Sequence, residues 1–179
     1  MSNLRFGRLA GTTVAVVGVA ALAVSSAAAP VPGDLAAPKS ISASGVGGVT
    51  LGKTYKRLRQ QRLVKRISKG CELGGPNTRS ARLRAPLKGL VNFTQQSPRK
   101  VTDITVTGGA KARGVGIGAK IPAIKAAYPK AKVDHSTDQV FALTLVKIPK
   151  NGGGRLQFGV STNTKKVTII GIPLIAFCE

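Results

Sequence analysis

The sequence predicts an α+β fold in which two tandem repeats, each a helix followed by an antiparallel meander, form one sheet with the helices on one face. The first observation is a glycine-rich entry followed by apolar residues at helical spacing, Ile117, Ile121, Ile124 and Tyr128. The second is the same arrangement 66 residues earlier, at Leu51, Tyr55 and Leu58. The third is the alternation of apolar and polar residues after each helix, which is typical of strands.

The offset of 66 residues persists downstream of the helices. Residues 99–102 (Arg-Lys-Val-Thr) match residues 165–168 (Lys-Lys-Val-Thr) at the same spacing, and residues 91–93 match residues 156–158 at 65. We therefore interpret the chain as a tandem duplication, with repeats at 45–110 and 111–179. The apolar residues that correspond in the two copies, such as Leu51 and Ile117, are expected to be buried.

The amino terminus has the order of features that is typical of a secretory signal peptide. Arg5 and Arg8 precede an uncharged apolar run, which ends in small residues at Ala29. The run is short for a membrane span, although an uncleaved anchor is the alternative. Residues 1–29 are thus predicted to be a signal peptide and residues 30–44, rich in Pro, Ala and Ser, a flexible leader. The remainder, 45–179, is expected to fold as one domain of a secreted protein.

The first repeat is predicted to begin with an amphipathic helix. Thr54 is a suitable N-cap, and the helix is expected to run to about Gln61. Its outer side is cationic, since Lys53, Lys56, Arg57 and Arg59 lie away from the apolar face. Between Gln61 and Cys71 the apolar residues lie on a different face, and periodicity alone leaves a second short helix and a strand as alternatives.

Both repeats continue with segments that alternate between apolar and polar residues. The predicted strands are 81–85, 91–93 and 102–106 in the first repeat and 139–148, 155–161 and 165–172 in the second. Turn residues separate them, including hairpin turns at 151–154 and 162–164. A further edge strand is expected near 131–135.

Two cysteines, Cys71 and Cys178, suit one disulfide in an exported protein, because such bonds persist in oxidising compartments. Two free thiols are the alternative. The sequence predicts no metal site, since structural zinc takes about four ligands and His135 is the only histidine. It also predicts no cofactor, because the glycines at 114, 116 and 118 lack the spacing of a dinucleotide fingerprint.

The segment 134–138 (Asp-His-Ser-Thr-Asp) gathers a base, hydroxyls and two carboxylates in five residues. Catalytic triads draw their members from separate elements that converge on one site, so neighbours in sequence do not make one. The segment is interpreted as a polar turn, and the protein is predicted not to be an enzyme.

Charge is the feature that bears most directly on function. The chain carries a net charge of +22, and residues 53–100 contain fourteen basic residues against the single acid Glu72. The predicted polyanion-binding residues are Lys53, Lys56, Arg57, Arg59, Arg82 and Arg84. A solvated surface is the equal alternative. The expected partner is an anionic cell-wall polymer or membrane surface, bound by a monomer, and sequence-specific nucleic-acid recognition is not expected because aromatic residues are few.

One set of residues resembles a known group of proteins. The repeated pattern Leu/Ile-Gly-x-x-x-x-x-Leu/Ile, a cysteine after the first copy, a Tyr-Pro ending the second helix and a carboxy-terminal cysteine are similar to those of secreted, mostly uncharacterised actinobacterial proteins. The resemblance covers about 45–179 and implies a fold like that of β-lactamase inhibitory protein and of the small outer-membrane-assembly lipoproteins. Enzyme inhibition and an outer-membrane role are not carried over from this resemblance. Independently of it, a protein-binding or inhibitor module that uses the open sheet face is the alternative function. The chain departs from both, since it has no Trp and lacks a lipidated cysteine after the signal peptide.

Overall fold

The structure, a computed structural model, describes residues 38–71, 75–149 and 155–177, all within one compact unit. The predicted signal peptide, most of the predicted leader, the hairpin turn at 151–154 and Cys178 lie outside the described residues. Strands predominate over helices, so the α+β class is confirmed. No helix in the described ranges is both long and apolar enough to cross a bilayer.

The elements that the structure describes are short and follow one another closely. They are β1 (Lys39–Ser42), β2 (Gly45–Val46), β3 (Val49–Thr50), α1 (Tyr55–Gln60), β4 (Ser68–Lys69), β5 (Arg79–Arg82), β6 (Lys88–Phe93), β7 (Val101–Gly108), β8 (Ala110–Ala112), β9 (Val115–Gly116), α2 (Ile121–Ala127), β10 (Lys132–Asp134), α3 (Asp138–Phe141), β11 (Leu143–Ile148), β12 (Leu156–Ser161) and β13 (Val167–Ile172).

The strands form two sheets, so the prediction of one sheet is wrong. A large sheet has the order β10-β11-β12-β13-β7-β6-β5-β4, and a small sheet has the order β3-β2-β1-β8-β9. The small sheet was missed because its strands have two to four residues each, too few for an alternating pattern to be recognised. The predicted edge strand near 131–135 is confirmed as β10.

The large sheet consists of two antiparallel meanders that join where β7 pairs with β13. At this joint Ile104 lies opposite Ile172, and Val106 lies opposite Ile170. All four side chains are buried. The alternation predicted for 102–106 and 165–172 therefore corresponds to the inner face of the sheet.

Helices α1 and α2 pack on this inner face. Leu58 of α1 and Ile124 of α2 are fully buried in the same core. Tyr55 lies edge-on to Phe93 with ring centroids 5.5 Å apart, and Tyr128 lies 5.9 Å from Phe158. The small sheet completes this core through residues that include Ile41, Val46 and Val115. One continuous apolar interior thus holds the two sheets and both helices together.

Helix α1 agrees with its prediction at both ends. The Thr54 side chain accepts a hydrogen bond from the amide of Arg57, as expected of an N-cap. At the other end the amide of Leu63 donates to the carbonyl of Leu58, and the amide of Arg62 donates to that of Arg59, both at 3.0 Å. This is a Schellman motif, in which Arg62 holds the left-handed position (φ 54) that glycine usually occupies. The chain turns sharply there, and a strand, β4, follows rather than a helix.

Two predictions about the second repeat are wrong in detail. Ile117 is 40% exposed, because α2 begins only at Ile121 and Ile117 lies in the turn before it. The predicted strand at 139–148 begins as the short helix α3, and β11 covers only its later part. Val140, counted toward the strand, is 67% exposed.

The folded domain begins earlier than predicted. Strand β1 lies inside the segment 30–44 that the sequence predicts to be a leader, yet it pairs with β2 and, in parallel, with β8. Ile41 is buried there. The boundary at Gly45 is therefore corrected to a position at or before Lys39.

The segment after β13 folds back over the outer face of the large sheet. Ile175 is buried, and its amide donates to the side-chain oxygen of Gln157 at 3.0 Å. Gly171 permits this close approach, because a Cβ at that position would collide with the backbone of Leu174 and Ile175. The outer face is therefore partly covered at β12 and β13.

Candidate functional site

Acidic residues are scarce in the described part of the chain and do not balance the basic residues of the first half. The described acids are Asp103, Asp134 and Asp138. Asp134 pairs with Lys147, and Asp138 pairs with His135 at 2.8 Å, both in the second half. The first half thus presents a strongly positive surface.

The predicted residues of α1 do not all lie free on its outer side. Lys56 and Arg57 are exposed, as expected. Lys53 precedes the helix, and its Nζ donates to the carbonyl of Gly48 at 2.9 Å. This hydrogen bond of Lys53 therefore links the hairpin turn between β2 and β3 to the start of α1.

Arg59 and Arg84, 25 positions apart in sequence, meet at one backbone oxygen. Nη1 of Arg59 lies 3.3 Å from the carbonyl oxygen of Val64, and Nε of Arg84 lies 3.4 Å from the same oxygen. Both side chains are exposed. We call this arrangement the arginine pair.

Backbone pairing explains why the Val64 carbonyl is available to both. The amide of Arg84 donates to the carbonyl of Leu63 at 3.0 Å, and the amide of Lys65 donates to that of Arg82 at 2.8 Å. In an extended chain the intervening residue directs its carbonyl the opposite way. The Val64 carbonyl therefore lies on the outer side of this segment, where Arg59 reaches it from the last turn of α1.

Arg82 belongs to a neighbouring feature, an open groove of about 550 Å³ on the outer face of the large sheet. Pairing of β5, β6 and β7 places Arg82 opposite Leu90 and Leu90 opposite Thr105. The groove is also lined by Lys65, Lys88 and Thr107. We call it the basic groove. It combines three cations with two hydroxyl groups, which are donors suited to an oxyanion.

Sequence reasoning missed Lys65 and Lys88 as site residues. Lys65 enters the groove because residues 63–65 pair with residues 82–84, and periodicity had left that segment undecided between helix and strand. Lys88 opens β6, which the sequence predicted to begin only at Val91.

A second cavity, of about 480 Å³, contains the single described acid of the first half, Asp103. Burial raises the pKa of Asp103, while hydrogen bonds from Asn92 (2.7 Å) and Thr102 (3.0 Å) act in the opposite direction. Cys71 and Phe177 line the same cavity. The Asp103 carboxylate therefore accepts hydrogen bonds from its neighbours and does not neutralise the charge of the basic groove.

The Cys71 sulfur lies next to the carboxy-terminal segment. Its Sγ is 3.9 Å from the carbonyl oxygen of Phe177, the residue that precedes Cys178. Since Cys178 lies outside the described residues, the disulfide stays a prediction.

The segment 134–138 is a polar turn between β10 and α3. Hydrogen bonds from Lys147 and from the amide of Ser136 hold the pKa of Asp134 well below its usual range. The hydrogen bond with His135 likewise lowers the pKa of Asp138. Asp134 and the Oδ2 atom of Asp138 are thus engaged with neighbouring groups, whereas the buried Oδ1 atom of Asp138 accepts no hydrogen bond from any described residue. Across the described ranges, no three side chains of His, Cys, Asp or Glu converge as ligands for a metal ion.

Comparison of the chain with models of protein families, with curated proteins and with solved structures finds no match. Function must therefore be inferred from the residues and their geometry.

Proposed function

We propose that this protein is secreted, associates with the cell envelope and binds an anionic polymer or surface without catalysing a reaction. The basic face that would bind consists of α1, the arginine pair and the basic groove. The observation that carries the proposal is the groove, where Lys65, Arg82 and Lys88 come together with Thr105 and Thr107. None of these three cations forms an ion pair with a carboxylate in the described part of the chain.

The location of the charge favours binding over solvation. A charge that serves only solubility has no reason to gather around a concave site, because mutual repulsion of like charges destabilises the folded state. Here three basic residues from separate segments, Lys65, Arg82 and Lys88, share one groove. Two others converge on a single carbonyl oxygen. An anionic ligand would reduce the repulsion among the positive charges both in the groove and at the arginine pair.

Binding to such a surface should be governed by the release of counterions. The probe is a fluorescently labelled inorganic polyphosphate, with anisotropy measured between 50 and 200 mM salt. For several phosphate contacts, affinity is expected to fall about a hundredfold or more over this range. Absence of binding at low salt would contradict the proposal.

A matched pair of triple variants tests the location of the site. Lys65→Gln, Arg82→Gln and Lys88→Gln together remove three charges from the groove. The control removes three charges from exposed lysines of the second half, by Lys120→Gln, Lys125→Gln and Lys166→Gln. The groove variant is expected to bind more weakly and with a shallower salt dependence than the control. Equal behaviour of the two variants would show that charge is a solvation device only.

The second candidate is a protein-binding or inhibitor module that uses the outer sheet face. Leu90 is 42% exposed there, and Leu174, in the segment that covers part of this face, is 46% exposed. Leu174→Ser, which lies outside the basic groove, should weaken this kind of binding and leave polyphosphate affinity unchanged. The covering segment leaves less free apolar surface on this face than an open sheet would, which favours the first candidate.

We further infer that the two halves arose by tandem duplication, as in the group that the sequence resembles. The β2–β3 turn has positive φ at Gly47 (53) and Gly48 (87), and the β8–β9 turn has it at Arg113 (47) and Gly114 (82), 66 residues later. Each hairpin is followed by a helix that starts at the same offset, α1 at Tyr55 and α2 at Ile121. These correspondences in backbone conformation support the duplication that the sequence predicts.

A further inference from the structure

We propose that the arginine pair is a built site for one tetrahedral oxyanion, a phosphate or sulfate monoester group carried by the polymer. This inference rests on the proposed function and names the chemical group that the basic face would recognise.

The two guanidinium groups are held close together. Because Nη1 of Arg59 and Nε of Arg84 lie 3.3 and 3.4 Å from the same oxygen, these nitrogens are at most about 6.7 Å apart. Two positive charges at this distance repel each other, and no described carboxylate pairs with either. An anion bound between them would convert this repulsion into two favourable interactions.

Most of the donors of the pair remain available. A guanidinium has five N–H groups, and each arginine directs one of them at the Val64 carbonyl. That oxygen has two lone pairs, so it can accept both bonds. The remaining N–H groups belong to exposed side chains and can form forks toward a ligand in solvent.

The number of donors favours an oxyanion with three terminal oxygens. A carboxylate has two acceptor oxygens, and a single guanidinium fork engages both of them in a bidentate pair. Two forks from different directions suit a group with three acceptor oxygens arranged around a tetrahedral centre, as in a phosphate or sulfate monoester. A planar carboxylate offers no third acceptor oxygen, so it fits two forks less well than a tetrahedral monoester does.

The backbone fixes the pair before any ligand binds. Val64 is fully buried and pairs with Leu83, so its carbonyl has a defined position. The Schellman motif at Arg62 sets the direction in which the chain leaves α1, and thus the distance between Arg59 and Val64. A preorganised site loses less conformational freedom on binding than two independent surface arginines would.

The arrangement also has a purely structural interpretation, in which two arginines cap the free carbonyl of an edge segment. The two interpretations differ in what a charge-conserving change does. Arg59→Lys or Arg84→Lys keeps a positive donor that can reach the carbonyl but removes one fork. Only a ligand site would lose affinity for the monoester.

The test is an NMR titration of the full domain that follows the arginine Nε–Hε signals at constant ionic strength. The probes are glycerol 3-phosphate and inorganic sulfate, which separate phosphate from sulfate recognition, and acetate as the carboxylate control. Saturable shifts of the Arg59 and Arg84 signals with either tetrahedral anion, and weaker ones with acetate, are expected. Shifts that do not saturate, or that acetate reproduces, would overturn the site.

Matched variants complete the test. Arg59→Lys and Arg84→Lys are each expected to weaken the affinity for the tetrahedral anion by about tenfold or more. Arg155→Lys, at an exposed arginine outside the basic face, should change it less than about twofold. If all three variants changed the affinity equally, the arginine pair would contribute only as general surface charge and would not be a specific site. Binding of polyphosphate to the basic groove can survive that outcome, so the failure of this site and the failure of the proposed function are distinguishable.

Discussion

The backbone amide of Gly118 donates a hydrogen bond of 2.8 Å to the carbonyl of Val167, which fixes the entry of α2 against the last strand. In the first half the amide of Gly52 donates to the carbonyl of Val101 at 2.9 Å. Both glycines have positive φ (76 at Gly52, 89 at Gly118), and a Cβ at either position would meet no atom within 4 Å. Backbone conformation alone, not space, therefore requires glycine here.

Gly52→Ala and Gly118→Ala should each lower the free energy of unfolding by about 1–2 kcal/mol, because an L-residue in the left-handed region is strained. Urea denaturation measures the loss. Gly118→Asn is the control, since Asn tolerates this region better and should cost less than Ala. A loss confined to one of the two alanine variants would show that the entries to α1 and α2 are not equivalent.

At the end of α1, by contrast, replacing a residue by glycine should stabilise the domain, and that residue is Arg62. Its φ of 54 places a long side chain where the Schellman motif favours glycine. Arg62→Gly is therefore expected to raise the free energy of unfolding by about 0.5–1 kcal/mol. Arg57→Gly, in the body of the same helix, should lower it by about 1 kcal/mol. If both changes destabilise the domain alike in urea, the left-handed strain at Arg62 is not significant.

Asp103 should make stability depend on pH in an unusual direction. Burial raises the pKa of this carboxyl in the folded state above its value in the unfolded chain. The unfolded state then loses its proton first, so the free energy of unfolding falls as pH rises from the unfolded pKa through the folded one. Asp103→Asn keeps an acceptor for Asn92 but cannot ionise.

Urea midpoints of the wild type and Asp103→Asn should therefore be measured from pH 3 to 7. The variant is expected to gain stability relative to the wild type as pH rises and to show no advantage at pH 3. A constant difference over this range would refute burial of an ionisable group at Asp103. The pair of Asp134 and Lys147 contributes in the opposite sense and loses stability as pH falls, since its carboxyl has a lowered pKa.

A disulfide between Cys71 and Cys178 would close a loop of more than a hundred residues. In the loop-entropy model this stabilises the fold by about 4–5 kcal/mol. Reduction, Cys71→Ser and Cys178→Ser should each lower the free energy of unfolding by a similar amount, and the double variant should lose no more than either single one. Two thiols that react with a thiol reagent in the native, unreduced protein would rule the bond out.

Sequence periodicity predicted those helices and strands whose buried apolar residues recur at helical or alternating spacing over several turns or residue pairs. Helix α1 with its Thr54 cap and the inner face of β7, which includes Ile104 and Val106, were predicted correctly. The small sheet was not, because strands of two to four residues carry no readable period. Ile117 matched the helical spacing of α2 but lies in the turn before it, since spacing does not reveal where a helix starts.

The candidate site was predicted as charge but not as geometry. The sequence named Arg59, Arg82 and Arg84 as one cationic surface. The structure places Arg59 with Arg84 at Val64 and assigns Arg82 to the groove, with Lys65 and Lys88. The division depends on the pairing of residues 63–65 with 82–84, a contact between distant segments that local periodicity does not encode.

In each of the two sheets, a strand from the amino-terminal part of the chain pairs with a strand from the second half. Strand β1, from before the first half, bonds to β8 at the start of the second, and β7 of the first half bonds to β13 at the end of the second. Either half expressed by itself would therefore expose two strand edges whose backbone N–H and C=O groups have lost their hydrogen-bond partners. We expect such fragments to aggregate or to exchange strands with each other, and the two halves to fold only as one unit.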